Sequence, residues 1–330
     1  MTTETAAISS APATAKAPAG LQGVVATSSD ICMIDGQQGR LIYRGYEIGD
    51  LVENASFEEV AYLLWNNKLP NRQELATLHT QLTAASVLPR HAVTILQALP
   101  PDKQPMDALR TVVSSLSATD PDLTSNEPDA NQRKAIRLTA QFPSIVTAFH
   151  RLRNGERPIE PDPTLSIAGN FLYMLNGKRP HETLVRVMDA ALVLHAEHGM
   201  NASTFAARVI AATLADMHAA VTGAIAALKG PLHGGANQDV MQLLLDCGTA
   251  DRAEEKVRGM LANKEKVPGF GHRVYRTFDP RAHFLRKMSK QLGEAAGNSK
   301  WYEMSERLIP ILKDTPKSDG APMKIGRAHV

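Results

Sequence analysis

Three short segments set histidine beside glycine, with arginine or an amide close by. They are residues 194–201 (LHAEHGMN), 230–237 (GPLHGGAN) and 267–276 (VPGFGHRVYR), the last running on to Asp279, Pro280 and Arg281. In the second, Gly230 and Pro231 end one helix and another starts after Gly235, so His233 falls in a tight interhelical turn. Glycines there let backbone or ligand approach closely and leave N–H groups free at a helix start. A neutral imidazole in such a turn suits hydrogen-bond donation to a carbonyl oxygen. In the third, Gly269 and Gly271 bracket a loop that leads to His272, Arg273, Arg276 and Arg281. Several cations near one loop suit carboxylates or phosphates, which arginine grips bidentately.

Each feature taken alone has a plainer explanation. A lone histidine in a helical protein is usually structural, a lone Gly-x-Gly loop is weak evidence, and an isolated arginine is usually a solvated charge. His195 and His198, at i and i+3, could form half of a metal site. No acidic or thiol cluster accompanies them, so no metal is expected. What favours a site is the recurrence of glycine-flanked histidines in one helical chain.

The elements that must position these groups are almost all helical. Ser56 opens a capping box with Glu59, and Phe57, Val60, Ala61 and Leu64 follow at helical spacing up to Pro70. Leu75, Leu78 and Leu82 mark a second helix. Further helices are expected over 91–99, 106–117, 131–153, 163–175, 182–198, 203–214, 217–228, 238–245, 251–263 and 280–293. Strand material is confined to the N-terminal part: 23–27, 31–34 and 41–43, with Gly36 and Gly39 marking a turn. The expected class is all-α with a short N-terminal β-hairpin.

The bulk numbers exclude several classes. The 330 residues carry a net charge of +2, which gives no electrostatic case for nucleic acid or membrane binding. No apolar run reaches the ~18 residues of a membrane span. Cys32 and Cys247 lie far apart and read as reduced thiols of a cytoplasmic protein. Residues 1–20 have no apolar signal core and no arginine, and read as a disordered lead-in.

The motifs resemble the citrate synthase family. The likeness runs from about Gly20 to about Arg307 and includes GLQGVVATSSDICMIDGQQGRLIYRGYEI, LHAEHGMNAST, GPLHGGAN and PGFGHRVYR with DPRA. It implies a two-domain helical fold, with a large domain over 21–234 and a smaller, incomplete one over 235–324, working as a homodimer. It implies condensation of acetyl-CoA with oxaloacetate and water to citrate and CoA, with no cofactor beyond the substrates. By the resemblance, the catalytic pair is His233, at the thioester oxygen, and His272, at the oxaloacetate carbonyl. His198 and Arg281 would bind oxaloacetate. Gly269, Gly271 and Arg276 would bind CoA. A 2-methylcitrate synthase using propionyl-CoA is the alternative within this chemistry. A non-catalytic helical CoA-binding or assembly module is the alternative outside it.

The sequence departs from the family at one place. The family's base is an aspartate in an NVDFYSG-like motif beyond a WYEMSER-like stretch. WYEMSER is present at 301–307, but residues 308–330 contain no such motif, and neither Asp314 nor Asp319 has its neighbours. Residues 325–330 (IGRAHV) read as a non-native tail on a fragmentary gene. The chain as written is therefore expected to be inactive or severely impaired.

Overall fold

The computed structural model describes residues 28–231, 233–270, 274–275 and 277–313. Three strands begin it: β1 (Cys32–Asp35), β2 (Arg40–Tyr43) and β3 (Tyr46–Glu47) form one antiparallel sheet in that order. Asp35 closes the first turn by accepting the N–H groups of Gln37 and Gln38, each at 2.9 Å. The expected hairpin is thus present, and a third strand extends it. The second turn is Arg44-Gly45, with φ of 46° and 89°, so both central residues are left-handed as a two-residue hairpin requires. Arginine in the first place hides that signal from the sequence. The expected strand at 23–27 lies outside the described residues.

The helices follow as α1 (Ile48–Asn54), α2 (Phe57–Asn66), α3 (Arg72–Ala85), α4 (Arg90–Ala98), α5 (Pro105–Leu116), α6 (Pro128–Arg153) and α7 (Ile167–Asn176). They continue as α8 (Glu182–His195), α9 (Ala202–Ala211), α10 (Met217–Leu228), α11 (Ala236–Cys247), α12 (Ala250–Ala262), α13 (Pro280–Ala295) and α14 (Lys300–Lys313). The all-helical expectation holds. The Ser56–Glu59 capping box is formed, and Asn71 with Glu74 forms another at α3. α1 and α14 are additions to the sequence reading. α1 is only seven residues and has no side-chain cap; α14 carries an internal proline, Pro310. α7 starts at Ile167 rather than 163 because Ser166 caps it, accepting from Gly169 N–H at 3.1 Å. α8 stops at His195, not at 198, for a reason that belongs to the site.

The site elements are held by two cores. One joins Leu41 and Tyr43 of the sheet, Leu51 of α1, Val60 and Leu63 of α2, Val193 and Leu194 of α8, and Leu285 of α13. Each such side chain contributes about 1.5–3 kcal/mol by leaving water. The other is drawn from residues 240–312 alone: Val240, Leu243, Val257, Met304 and Leu312 surround Val267 and Phe270. Among the described residues no helix is long and apolar enough to cross a membrane.

Candidate active site

His233 sits in the turn after α10. Its N–H bonds Gly230 O at 2.9 Å, and Gly234 N–H bonds Leu228 O at 2.9 Å, so the turn is closed by its own backbone. The ring faces the start of α9, which Asn201 caps by accepting from Thr204 N–H at 3.0 Å. Ser203 N–H donates to His233 Nε2 at 3.2 Å, and the Ser203 hydroxyl lies 2.5 Å from the same nitrogen. A backbone N–H can only donate, so Nε2 bears no proton. The imidazole is then neutral, with its proton on Nδ1. The positive end of the α9 dipole also disfavours an imidazolium there.

His198 lies in the loop between α8 and α9. Its Nε2 is 3.1 Å from the Tyr275 hydroxyl, and the two rings meet edge to face at 5.6 Å. The end of α8 is fixed from the sheet. Tyr43, fully buried on β2, donates its hydroxyl to Glu197 O at 2.7 Å and accepts Glu197 N–H at 3.3 Å. Leu194 O is 3.5 Å from the same oxygen. This phenol takes groups that a continuing helix would have bonded internally, so α8 ends three residues early. Glu197 turns its carboxylate onto Gly199 N–H, and burial pushes its pKa up.

Arg281 opens α13. Asp279 caps that helix, accepting Arg281 N–H at 3.1 Å, and Pro280 takes the first helical position. The Asp279 carboxylate also holds the guanidinium through Nε at 2.9 Å and Nη2 at 2.6 Å. Arg281 is 1% exposed and Asp279 0%. Arg281 Nη1 is buried and has no hydrogen-bond partner among the described residues. Burial opposes the guanidinium charge most strongly, but the hydrogen bond and charge of Asp279, together with Tyr275 and Tyr43, outweigh it in sum and the pKa is raised. Cys32, on β1, has its thiol pushed up to about 11 by burial and then by Glu197, against a smaller opposing pull from Arg281. Sheet, His198 loop and α13 start are thus one electrostatic neighbourhood.

The sequence-selected residues fall into two groups. His198 and Arg281 share this neighbourhood through Tyr275, while His233 stands at the start of α9. Five chain steps lead from His198 to Ser203, so the Cα atoms of these two residues lie within roughly 18 Å. Gly269 has φ of +82°, between the core residues Val267 and Phe270. Gly271, His272 and Arg276 lie outside the described residues. His195 is exposed and bonds Ala191 O at 2.7 Å, so it and His198 have different partners. Among the described residues no three His, Cys, Asp or Glu side chains are grouped to hold a metal. The sequence reading missed Ser203, Tyr43, Tyr275 and Asp279. Only Asp279 had a local signal, an acidic residue directly before a proline at a helix start.

The family model described as citrate synthase, C-terminal domain, matches residues 20–324. Citrate synthase 2 of Bacillus subtilis (strain 168) is 49% identical over 90% of this chain and 80% of its own length. A citrate/2-methylcitrate synthase of the same organism is 43% identical over 87% of this chain and 77% of its own length. Among solved structures, the citrate synthase of the archaeon Thermoplasma acidophilum, in ternary complex with carboxymethyl coenzyme A and oxaloacetate, superposes with a TM-score of 0.86. It is 27% identical, and the match covers 94% of this chain and 81% of that one.

Proposed function

The chain belongs to the citrate synthase family, and from that membership we propose that it serves the condensation of acetyl-CoA with oxaloacetate and water to citrate and CoA, an acyl transfer. The observation that carries the reading is His233, held neutral by the Ser203 amide with Nδ1–H as its donor. A neutral donor placed at a thioester carbonyl stabilises the negative charge that grows on that oxygen as the methyl group loses a proton. The enol carbon then attacks the oxaloacetate ketone, forming the new C–C bond. Water finally cleaves the thioester and releases CoA.

The other substrate is a dicarboxylate. Arg281 is suited to it, because Asp279 occupies Nε and Nη2 and leaves Nη1 to a ligand oxygen. His198, oriented by Tyr275, adds a second polar contact. His272 is assigned to polarising the ketone, and Gly269, Gly271 and Arg276 to CoA, on the family motifs alone. A homodimer fits the apolar character of one face. α9 has no buried residue, its Val209 and the following Leu214 are exposed, and a cavity of about 470 Å³ lined by Phe57, Leu138, Phe142, Phe171 and Met217 adjoins α10.

The 330 residues contain no NVDFYSG-like motif, so the chain by itself is expected to turn over little or not at all. Loss of a general base commonly costs ~10²–10⁴-fold. The similarity to a citrate/2-methylcitrate synthase supports a second substrate reading, propionyl-CoA. Free-thiol release with oxaloacetate tests both. It is run with acetyl-CoA and propionyl-CoA, on this chain and on the chain continued by an aspartate-bearing segment. Release by the continued chain alone supports the reading, and the faster acyl-CoA identifies the substrate. No release from either chain, with CoA still bound by both, contradicts it and favours a non-catalytic module.

A further inference from the structure

The hairpin of β1 and β2 touches both the His198 loop and the segment that carries Tyr275. On one side it meets the His198 loop. Tyr43 holds both backbone groups of Glu197, the residue directly before His198, on one hydroxyl. Ile34 stands so near Gly199 that a Cβ there would lie 3.3 Å from its Cδ1. On the other side the hairpin turn meets residues 274–275 and 277–278. A Cβ on Gly36 would lie 2.3 Å from Val274 O, a distance no side chain tolerates, and 3.5 Å from Tyr275 Cα. A Cβ on Gly39 would lie 2.9 Å from Thr277 Oγ1 and 3.0 Å from Phe278 O. The two segments meet each other at the 3.1 Å contact between His198 and Tyr275.

We propose that this hairpin is the positioning element of the dicarboxylate site, with Tyr43 and Gly36 as the residues that set the His198–Tyr275 contact. Neither would touch a substrate. Tyr43 fixes where the His198 loop leaves α8. Gly36 lets the 274–275 backbone come down onto the hairpin turn, which sets the height of Tyr275. A sheet of ten paired residues has little core of its own, so its close fit to two loops is the feature that this role accounts for. The inference rests on the proposed oxaloacetate site only for the second of its two readouts.

The test uses the 330-residue chain and the substitutions Tyr43→Phe and Gly36→Ala. Tyr43→Phe keeps the ring and removes only the hydroxyl, which covers the case in which Gly36→Ala fails to fold. The first readout needs no ligand: the side-chain nitrogen resonances of His198 and His233. Both variants are expected to move the His198 signals and leave those of His233 in place. The second is oxaloacetate affinity by calorimetry, expected to weaken about 5- to 30-fold in Tyr43→Phe while CoA affinity changes less than about twofold. The weakening should vanish in a His198→Ala background, because the effect passes through that ring. A merely structural role would move both histidines and both ligands together. Unmoved His198 signals in folded Tyr43→Phe overturn the proposal, as does equal weakening of both ligands. If the parent chain binds no oxaloacetate, the functional reading fails, and the His198 signals still decide the positioning role.

Discussion

Ser203 gives its backbone N–H to Nε2 of His233 at 3.2 Å, with its hydroxyl 2.5 Å from the same nitrogen. The amide fixes the tautomer and the hydroxyl only reinforces it. Ser203→Ala is therefore expected to leave His233 neutral, with its proton on Nδ1. Binding of an acetyl-CoA analogue should weaken only about 2- to 10-fold, the worth of one hydrogen bond. Nitrogen NMR of the His233 ring at neutral pH checks the first point and calorimetry the second. A cationic His233 in the parent would contradict the oxyanion role.

The Asp279–Arg281 pair is buried on both sides, so removing one member leaves an uncompensated charge. Asp279→Ala is expected to cost about 3–5 kcal/mol of folding stability. It also removes the cap from α13, so the loss should lie towards the upper end. Urea unfolding measures it. A loss below about 1 kcal/mol would show that the pair is not a structural anchor.

Asp189 makes the opposite case. It accepts Phe57 N–H at 3.0 Å, and burial raises its pKa to about 6 from the ordinary 3.8. Between those values the native state binds a proton that the unfolded chain does not. Its contribution to stability is thus full below 3.8 and lost as pH rises through about 6. Asp189→Asn keeps the acceptor without the charge. At pH 7 it should be at least as stable as the parent, by about 1 kcal/mol. Asp189→Ala, which strands the Phe57 N–H, should lose about 1–3 kcal/mol.

His218 adds an acid-side dependence of the other sign. It is 2% exposed, between Asp120 at 3.4 Å and Asp216 at 3.7 Å, and burial lowers its pKa below the ordinary 6.5. The unfolded chain therefore takes up this proton first. Stability from neutral His218 is present above 6.5 and lost as pH falls. His218→Gln should flatten thermal midpoint against pH below neutrality by a few degrees relative to the parent. An unchanged slope would remove His218 from the account.

The helical class was legible because its signals are local. Ser56 and Glu59 lie three apart and open α2 with the expected capping box, and Leu75, Leu78 and Leu82 mark α3 at helical spacing. The motifs name His198, His233 and Arg281 as candidates, and the structure gives each of them defined partners. What was not legible came from contacts distant in sequence. The early end of α8 depends on Tyr43, 154 residues from Glu197. The tautomer of His233 depends on Ser203, 30 residues away. The pairing of His198 with Tyr275 spans 77. No periodicity or cap encodes such contacts, although every residue involved stood in plain view.

If these residues form a dicarboxylate site beside a thioester site, calorimetric titration of the 330-residue chain with oxaloacetate detects it. Saturable one-site binding is expected, weakened by roughly 100-fold in Arg281→Met through the loss of charge-assisted hydrogen bonds worth about 1.5–3 kcal/mol each. A folded parent chain that gives no binding heat, or an Arg281→Met variant that binds as tightly as the parent, would contradict it.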